Sequence, residues 1–285
     1  MEEREKEDIR QAVREKYGRI AKSQFAASGS VRSAPCCGES ANYQGVAQAV
    51  SCCSSKDISA QRLFEVMGYS KEQLNSAPPE TNMGLGCGNP VTLASLKPGE
   101  TVVDLGSGGG FDCFLAAKMV GKAGKVIGVD MTSDMISKAR KSANEIGAEN
   151  VEFRLGEIEH LPIADNSADI IMSNCVINLS PDKMGVYLDA YRILKPGGRL
   201  AISDIVATGP LPEKIQRNLE HVSACVGGAA TIEDTEKLLK EAGFQKISIT
   251  TDESSRELIR EWAPSERHNV ADYVVSARIE AVKST

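Results

Sequence analysis

One stretch constrains the fold of this chain more than any other: Thr101-Val102-Val103-Asp104-Leu105-Gly106-Ser107-Gly108-Gly109-Gly110-Phe111. Val102, Val103 and Leu105 supply an apolar strand. The glycines permit a sharp turn and let the backbone approach a ligand with no Cβ in the way. A helix predicted over 110–120 opens at once, with its N-terminal N–H groups aimed at the space above the turn. Lys125–Asp130 reads as a second strand that ends in a carboxylate.

The dinucleotide fingerprint Gly-x-Gly-x-x-Gly fails here, because its third glycine falls on Phe111. What stands is Asp-x-Gly-x-Gly-x-Gly, with Asp104 before the turn. An acid at that place would repel a pyrophosphate and suits a cationic or amino-bearing ligand. Asp130, at the end of the next strand, is placed for ribose hydroxyls. The stretch resembles the first motif of the class I S-adenosylmethionine-dependent methyltransferases.

From 97 to about 206 strand and helix alternate. Strands are predicted at 101–105, 125–130, 151–155, 168–173 and 199–206. Helices are predicted at 110–120, 133–146 (capped by Ser133) and 181–194. That alternation implies a parallel sheet with helices on both faces, whose ligand sits beyond the carboxyl ends of the strands. Gly106, Asp130, Glu157 and Asn174 fall at such ends. Gly156-Glu157-Ile158 can offer a carboxylate and backbone groups to an adenine edge. The resemblance adds Ser107, Gly108 and Met131 to the cofactor-binding set, and His160 reads as a structural loop histidine. Further on, one helix is predicted from Pro212 to about Cys225 and another over 232–242, capped by Thr231. Strands follow at 245–251 and 272–280, the last antiparallel, with a connection holding Trp262 between them.

The chain holds eight cysteines: Cys36, Cys37, Cys52, Cys53, Cys87, Cys113, Cys175 and Cys225. Met-Glu-Glu-Arg-Glu-Lys-Glu-Asp is the opposite of a signal peptide, which predicts a cytoplasmic, reducing location. There, cysteines serve as thiols, metal ligands or redox pairs rather than structural disulfides. Residues 3–22 carry Ile9, Ala12, Val13, Tyr17 and Ile20 at helical spacing, which fits a cap or a lid. The Gly/Ser/Ala-rich stretch 26–56 has loop composition. Its adjacent cysteine pairs could gather a soft ion, form disulfides or remain surface thiols. A short helix is predicted over 57–75, capped at Asp57, with a second start at Ser70 and a capping box to Gln73. Cys87 stands between glycines, where backbone N–H groups would favour the thiolate; a small residue in a tight turn is the alternative. Cys175 follows the fourth strand, over the predicted crevice or under the sheet. Cys113 reads as packing. Cys225 ends its helix, where the dipole raises a thiol's pKa.

A length of 285 residues and 41% apolar content allow one large domain with a proper core. A net charge of −6, with no basic stripe, argues against nucleic acid. No apolar run is long enough to span a bilayer.

Taken together, Gly86-Cys87-Gly88-Asn89-Pro90, Asp104–Gly110, Gly156–Pro162, Ser173–Pro181, Cys225-Val226-Gly227-Gly228 and the N-terminal Cys-Cys segment resemble one family: the prokaryotic S-adenosylmethionine-dependent arsenite methyltransferases. The resemblance implies an α/β class I methyltransferase (Rossmann-like) fold: a mostly parallel seven-stranded sheet, a Cys-rich N-terminal segment and a helical insertion. It divides the chain into a cap over 1–80 and a catalytic domain over 81–285, with an arsenic-binding insertion at about 207–230. It implies Cys87, Cys175 and Cys225 as As(III) ligands, and Cys36, Cys37, Cys52 or Cys53 as a disulfide relay recharged by thioredoxin or glutathione. The chemistry is coherent: As(III) is a soft thiophile, its lone pair attacks the sulfonium methyl, and no general base is needed. A quinone- or sterol-type C- or O-methyltransferase and a thiol-based metalloid- or zinc-binding protein are the alternatives. Oligomeric state is not legible in the sequence.

Overall fold

The computed structural model describes residues 3–27, 64–216, 218–262 and 270–285. Cys36, Cys37, Cys52, Cys53 and the predicted helix start at Asp57 lie outside the described residues. The helices are α1 (Glu3–Ala27), α2 (Lys71–Ser76), α3 (Pro90–Leu93), α4 (Phe111–Val120), α5 (Ser133–Ile146), α6 (Lys183–Ile193), α7 (Glu213–Gln216), α8 (Leu219–Val222), α9 (Ile232–Glu241) and α10 (Ser255–Trp262). The strands are β1 (Thr101–Leu105), β2 (Lys125–Asp130), β3 (Val151–Leu155), β4 (Ala168–Asn174), β5 (Leu194–Ala207), β6 (Phe244–Asp252) and β7 (Val274–Lys283).

The strands form one sheet in the order β3-β2-β1-β4-β5-β7-β6. β3, β2, β1, β4 and β5 pair in parallel, and β7 runs antiparallel between β5 and β6. This is the class I methyltransferase sheet. The switch point lies between β1 and β4, the two strands that carry the glycine turn and Asn174-Cys175 at their ends.

Alternation along the strands fixes which residue faces which layer. Val103, Leu105, Ile127 and Ile171 face one core with Val186, Tyr187 and Leu239 of α6 and α9. Val102, Val126, Ile170 and Met172 face the other with Phe114, Leu115 and Ile136 of α4 and α5. Burying each such side chain contributes roughly 1.5–3 kcal/mol. A third apolar cluster joins Val13, Cys87, Cys175, Leu179, Ile205, Leu211, Ile215 and Cys225. It caps the carboxyl ends of the strands, so the sheet presents its thiols to a greasy pocket rather than to water.

Several local expectations need correction. The predicted cap Ser133 is the first helical residue of α5; Thr132 is the N-cap, with no side-chain cap. The helix expected from Pro212 to Cys225 is broken into α7 and α8, because Asn218 stops the run and its side chain accepts from Glu220 N. The last predicted strand of the alternating run, expected from 199, begins already at Leu194 as β5, with a register shift opposite Asp169. Trp262 ends a helix rather than lying in a loop. The Ser70–Gln73 capping box and the Thr231 cap form as predicted. No helix of the described residues is long and apolar enough to cross a membrane.

Candidate active site

A cavity of about 350 Å³ opens over the switch point. Of the predicted cofactor set, Asp104, Gly106, Ser107, Gly108, Asp130, Met131, Ile158 and Asn174 line it. Gly156 and Glu157 stand outside the lining. The Glu157 carboxylate is held by Arg14 and lies 3.5 Å from Nε of Arg10. Gly156 is small because Pro162 packs against it: a Cβ there would come 2.7 Å from Pro162 Cδ.

The turn is built from its backbone. Gly106 adopts φ +68°, and a Cβ on it would sit 2.5 Å from Val176 Cγ1. No other residue satisfies both conditions. Gly108 N donates to Asp130 Oδ2 (2.9 Å) and Thr132 N to Oδ1 (2.8 Å), which fixes the β2 carboxylate beside the turn.

Two further carboxylates face the cavity without an ion pair among the described residues. Asp104 accepts from the Cys113 thiol, so Cys113 does more than pack. Asp112, in the first turn of α4, accepts from Tyr69 OH (2.7 Å) and Asn174 Nδ2 (3.3 Å). Burial, and then the neighbouring Asp112, lift Asp104 well above the usual carboxylate range. Burial lifts Asp112 to about 6, against the hydrogen bonds of Tyr69 and Asn174. Asp130 is also raised by burial, although the N–H groups of Thr132 and Gly108 oppose it. The Ser107 hydroxyl beside them is buried with no hydrogen-bond partner. Buried acids that pair with no cation among the described residues, beside an orphaned hydroxyl, fit a ligand with a sulfonium and an amino group.

On the next wall stand the thiols. Cys87, Cys175 and Cys225 are free and 8%, 7% and 4% exposed. They come from the loop before α3, the end of β4 and the turn after α8. Cys175 and Cys225 line the cavity, and Gly86 lines it next to Cys87. Cys175 contacts both other thiols, and Cys225 Sγ also donates to the Cys175 carbonyl. Both carry positive φ (58° and 62°), a region costly for residues with a Cβ and typical of sites where geometry serves function.

The thiols are held protonated. Burial pushes Cys87 up, which overrides the backbone-assisted thiolate expected from its glycine neighbours. Cys225 is pushed up by the Cys175 thiol and then by burial. Cys175 is relieved by its hydrogen bond with Cys225, but the Cys87 thiol and burial still carry it well above the usual thiol range.

Asn174 ties the two walls together. Its Oδ1 accepts from Cys87 N (2.9 Å), and its Nδ2 reaches Gly88 O (2.9 Å), Tyr69 OH (3.0 Å) and Asp112. Across the mouth lies α1, which lines the cavity with Arg10, Val13, Lys16, Tyr17 and Ile20. Lys6 reaches Asp182 (3.1 Å), Lys22 reaches Asp134 (3.1 Å), and Lys16 donates to Ser223 O (2.9 Å) two residues before Cys225. The helix is therefore both cap and wall.

Sequence reasoning missed Asp112, Tyr69, Lys16 and Asp204. The rule that found Asp130, an acid at a strand's carboxyl end, applies equally to Asp204 near the end of β5. His160 is exposed in the loop after β3.

Residues 96–243 match the methyltransferase domain family. An arsenite methyltransferase of Halobacterium salinarum is 46% identical over 281 residues, covering 99% of this chain and 68% of that protein. An arsenite methyltransferase of Aquipseudomonas alcaligenes is 40% identical over 215 residues, covering 70% of this chain and 59% of that protein. The crystal structure of an arsenic (III) S-adenosylmethionine methyltransferase from Chlamydomonas reinhardtii superposes with a TM-score of 0.60 at 30% identity, covering 78% of this chain and 73% of that one. With this fold, this cavity and these relatives, the chain belongs to the arsenite methyltransferase family.

Proposed function

We propose that the protein transfers methyl groups from S-adenosylmethionine to As(III) held by Cys87, Cys175 and Cys225. The observation that carries this reading is the meeting of three buried, free thiols from separate parts of the chain, two of them, Cys175 and Cys225, on the cavity wall. Three sulfurs give As(III) its preferred donors and leave its lone pair free.

Asp104, Asp112, Asp130, Met131, Ile158, Asn174 and the Gly106–Gly108 turn would hold S-adenosylmethionine, which supplies an electrophilic methyl group when bound. The residues themselves do three things. Asp104 and Asp112 offset the ligand's positive charge. Asn174 fixes the Cys87 loop against the donor side of the cavity. The apolar cluster of Val13, Leu179, Ile205 and Ile215 keeps water from the thiols. Catalysis is then largely positioning, worth up to roughly 7–11 kcal/mol in a near-attack geometry.

Methylation oxidises arsenic formally, so a thiol reductant of the thioredoxin or glutathione class is needed for turnover. Cys36, Cys37, Cys52 and Cys53 are the relay candidates, and a reducing cytoplasm is the matching location. The test is incubation with arsenite, S-adenosylmethionine and a dithiol, followed by separation of arsenic species. Methylated arsenicals are expected from the parent protein and none from Cys175→Ser. A Cys175→Ser protein that methylates arsenite at the parent rate would overturn the reading.

A further inference from the structure

We propose that Cys87, Cys175 and the Asp204 carboxylate form a site for a thiophilic divalent cation of the zinc and cadmium class, which excludes arsenite by taking two of its three thiols. The proposal shares Cys87 and Cys175 with the arsenite reading and differs in its third ligand.

One ligand atom from each of these residues lies within 4.8 Å of the others, and all three residues are buried. An ion at the centre of a triangle with 4.8 Å edges is about 2.8 Å from each corner, so roughly half an ångström of inward movement per ligand reaches zinc–thiolate and zinc–carboxylate bond lengths. Cys225 is not part of that close group, although its thiol touches Cys175. The cluster thus contains two overlapping donor sets: three sulfurs, and two sulfurs with one oxygen.

Asp204 is held as a ligand is held. Its Oδ1 accepts from Ile205 N (2.7 Å) and Asn178 Nδ2 (2.9 Å), while Oδ2 accepts from Ile177 N (3.0 Å). Such outer donors fix a carboxylate's orientation at metal sites. Oδ2 keeps lone-pair capacity beyond its single donor.

Charge also balances in both states. As(III) on three thiolates is neutral, which leaves Asp204 to the half-buried Lys183, whose ammonium its carboxylate favours. A divalent cation on two thiolates and Asp204 carries one negative charge, and Lys183 offsets it. Arsenite bonds poorly to carboxylate, whereas zinc and cadmium accept mixed sulfur and oxygen sets. Binding forms two metal–sulfur bonds and one metal–oxygen bond and releases two thiol protons to solvent. Nothing is oxidised. A water completes the fourth position.

Cd(II) and arsenite are titrated separately, by calorimetry and by thiolate-to-metal charge-transfer absorbance. Both titrations use the Cys36→Ser, Cys37→Ser, Cys52→Ser, Cys53→Ser variant, so that the N-terminal thiols do not report. The expected Cd(II) absorbance at one equivalent is that of two thiolates, and bound arsenite blocks it. Asp204→Asn weakens Cd(II) by about tenfold or more and leaves arsenite affinity unmoved. Cys225→Ser does the reverse. If Asp204→Asn leaves Cd(II) affinity unchanged, or the unsubstituted Asp204 protein shows three thiolates per Cd(II), the cation site is refuted while the arsenite reading stands. If Cd(II) behaves as described and arsenite does not bind, the cation site stands and the arsenite reading fails.

Discussion

Removal of the Asn174 side chain tests whether the two walls of the cavity are mechanically joined. The amide accepts the Cys87 N–H and offers two hydrogens to three acceptors, Gly88 O, Tyr69 OH and Asp112 Oδ2. About three hydrogen bonds are therefore lost in Asn174→Ala, each worth roughly 0.5–1.5 kcal/mol, for a total near 3 kcal/mol. The loop is packed on this side chain as well: a Cβ on Gly86 would come 2.8 Å from Asn174 Nδ2. Asn174→Asp keeps the shape and the acceptor for Cys87 N–H. It also points an anionic oxygen at Gly88 O and Asp112, where acceptor meets acceptor. Asn174→Asp should therefore destabilise more than Asn174→Ala at neutral pH, although it is the smaller change in volume. The assay is urea unfolding, with arsenite affinity measured by calorimetry beside it. Alanine should lower both, and the loss in arsenite affinity should exceed that in S-adenosylmethionine affinity. An alanine variant within about 0.5 kcal/mol of the parent, or an aspartate variant milder than alanine, refutes the reasoning.

Asp112 and Asp204 are each raised to about 6 by burial in the folded protein, from an ordinary 3.8. A raised carboxylate favours the folded state below its unfolded pKa, and that contribution fades as pH rises through the folded value. Ligand-free stability should then fall between about pH 4 and 6, by at most about 3 kcal/mol per group, and Asp112→Asn should flatten the profile in urea unfolding. S-adenosylmethionine brings positive charge to Asp112, so its binding should release protons and tighten as pH rises through about 6, measured by calorimetry in buffers of different ionisation heat. Gly106→Ala drives a Cβ against Val176 at positive φ; a loss of about 2–4 kcal/mol and of cofactor binding is expected in thermal unfolding with and without S-adenosylmethionine.

Strands β1 to β4 were legible because each is a short stretch with apolar residues closed by glycine, aspartate or asparagine. The glycine turn announces its own geometry, since Gly106 accommodates both a left-handed backbone and Val176. Glu157 was placed near the ligand because its position at a strand end is all the sequence records. Its capture by Arg14, 143 residues away in sequence, is a tertiary fact. The same holds for Asn174: its place at the end of β4 was readable, but not its grip on the Cys87 loop. The fracture between α7 and α8 was missed because Ile215, Leu219 and Val222 keep helical spacing across it, while the Asn218 side chain competes locally for the backbone.

Raised thiols run against the usual expectation for a site that binds through sulfur, since the thiolate is the better nucleophile. The balance of the binding reaction removes the conflict. Arsenous acid and three thiols give a tris-thiolate and three waters; each As–O bond is replaced by an As–S bond, and each thiol proton leaves on a former hydroxide. The cluster is neutral before and after, so the apolar cap of Val13, Leu179, Ile205 and Ile215 never has to solvate a charge. Burial that would disable a lone nucleophilic cysteine suits three cysteines acting together. Arsenite affinity should therefore stay flat between about pH 6 and 8, with no net proton exchange in calorimetry across buffers. A site that stored thiolates would instead bind arsenite more tightly toward low pH, because each departing hydroxide would take a proton from solvent to leave as water. A slope approaching one proton per pH unit in either direction would refute the neutral-thiol account.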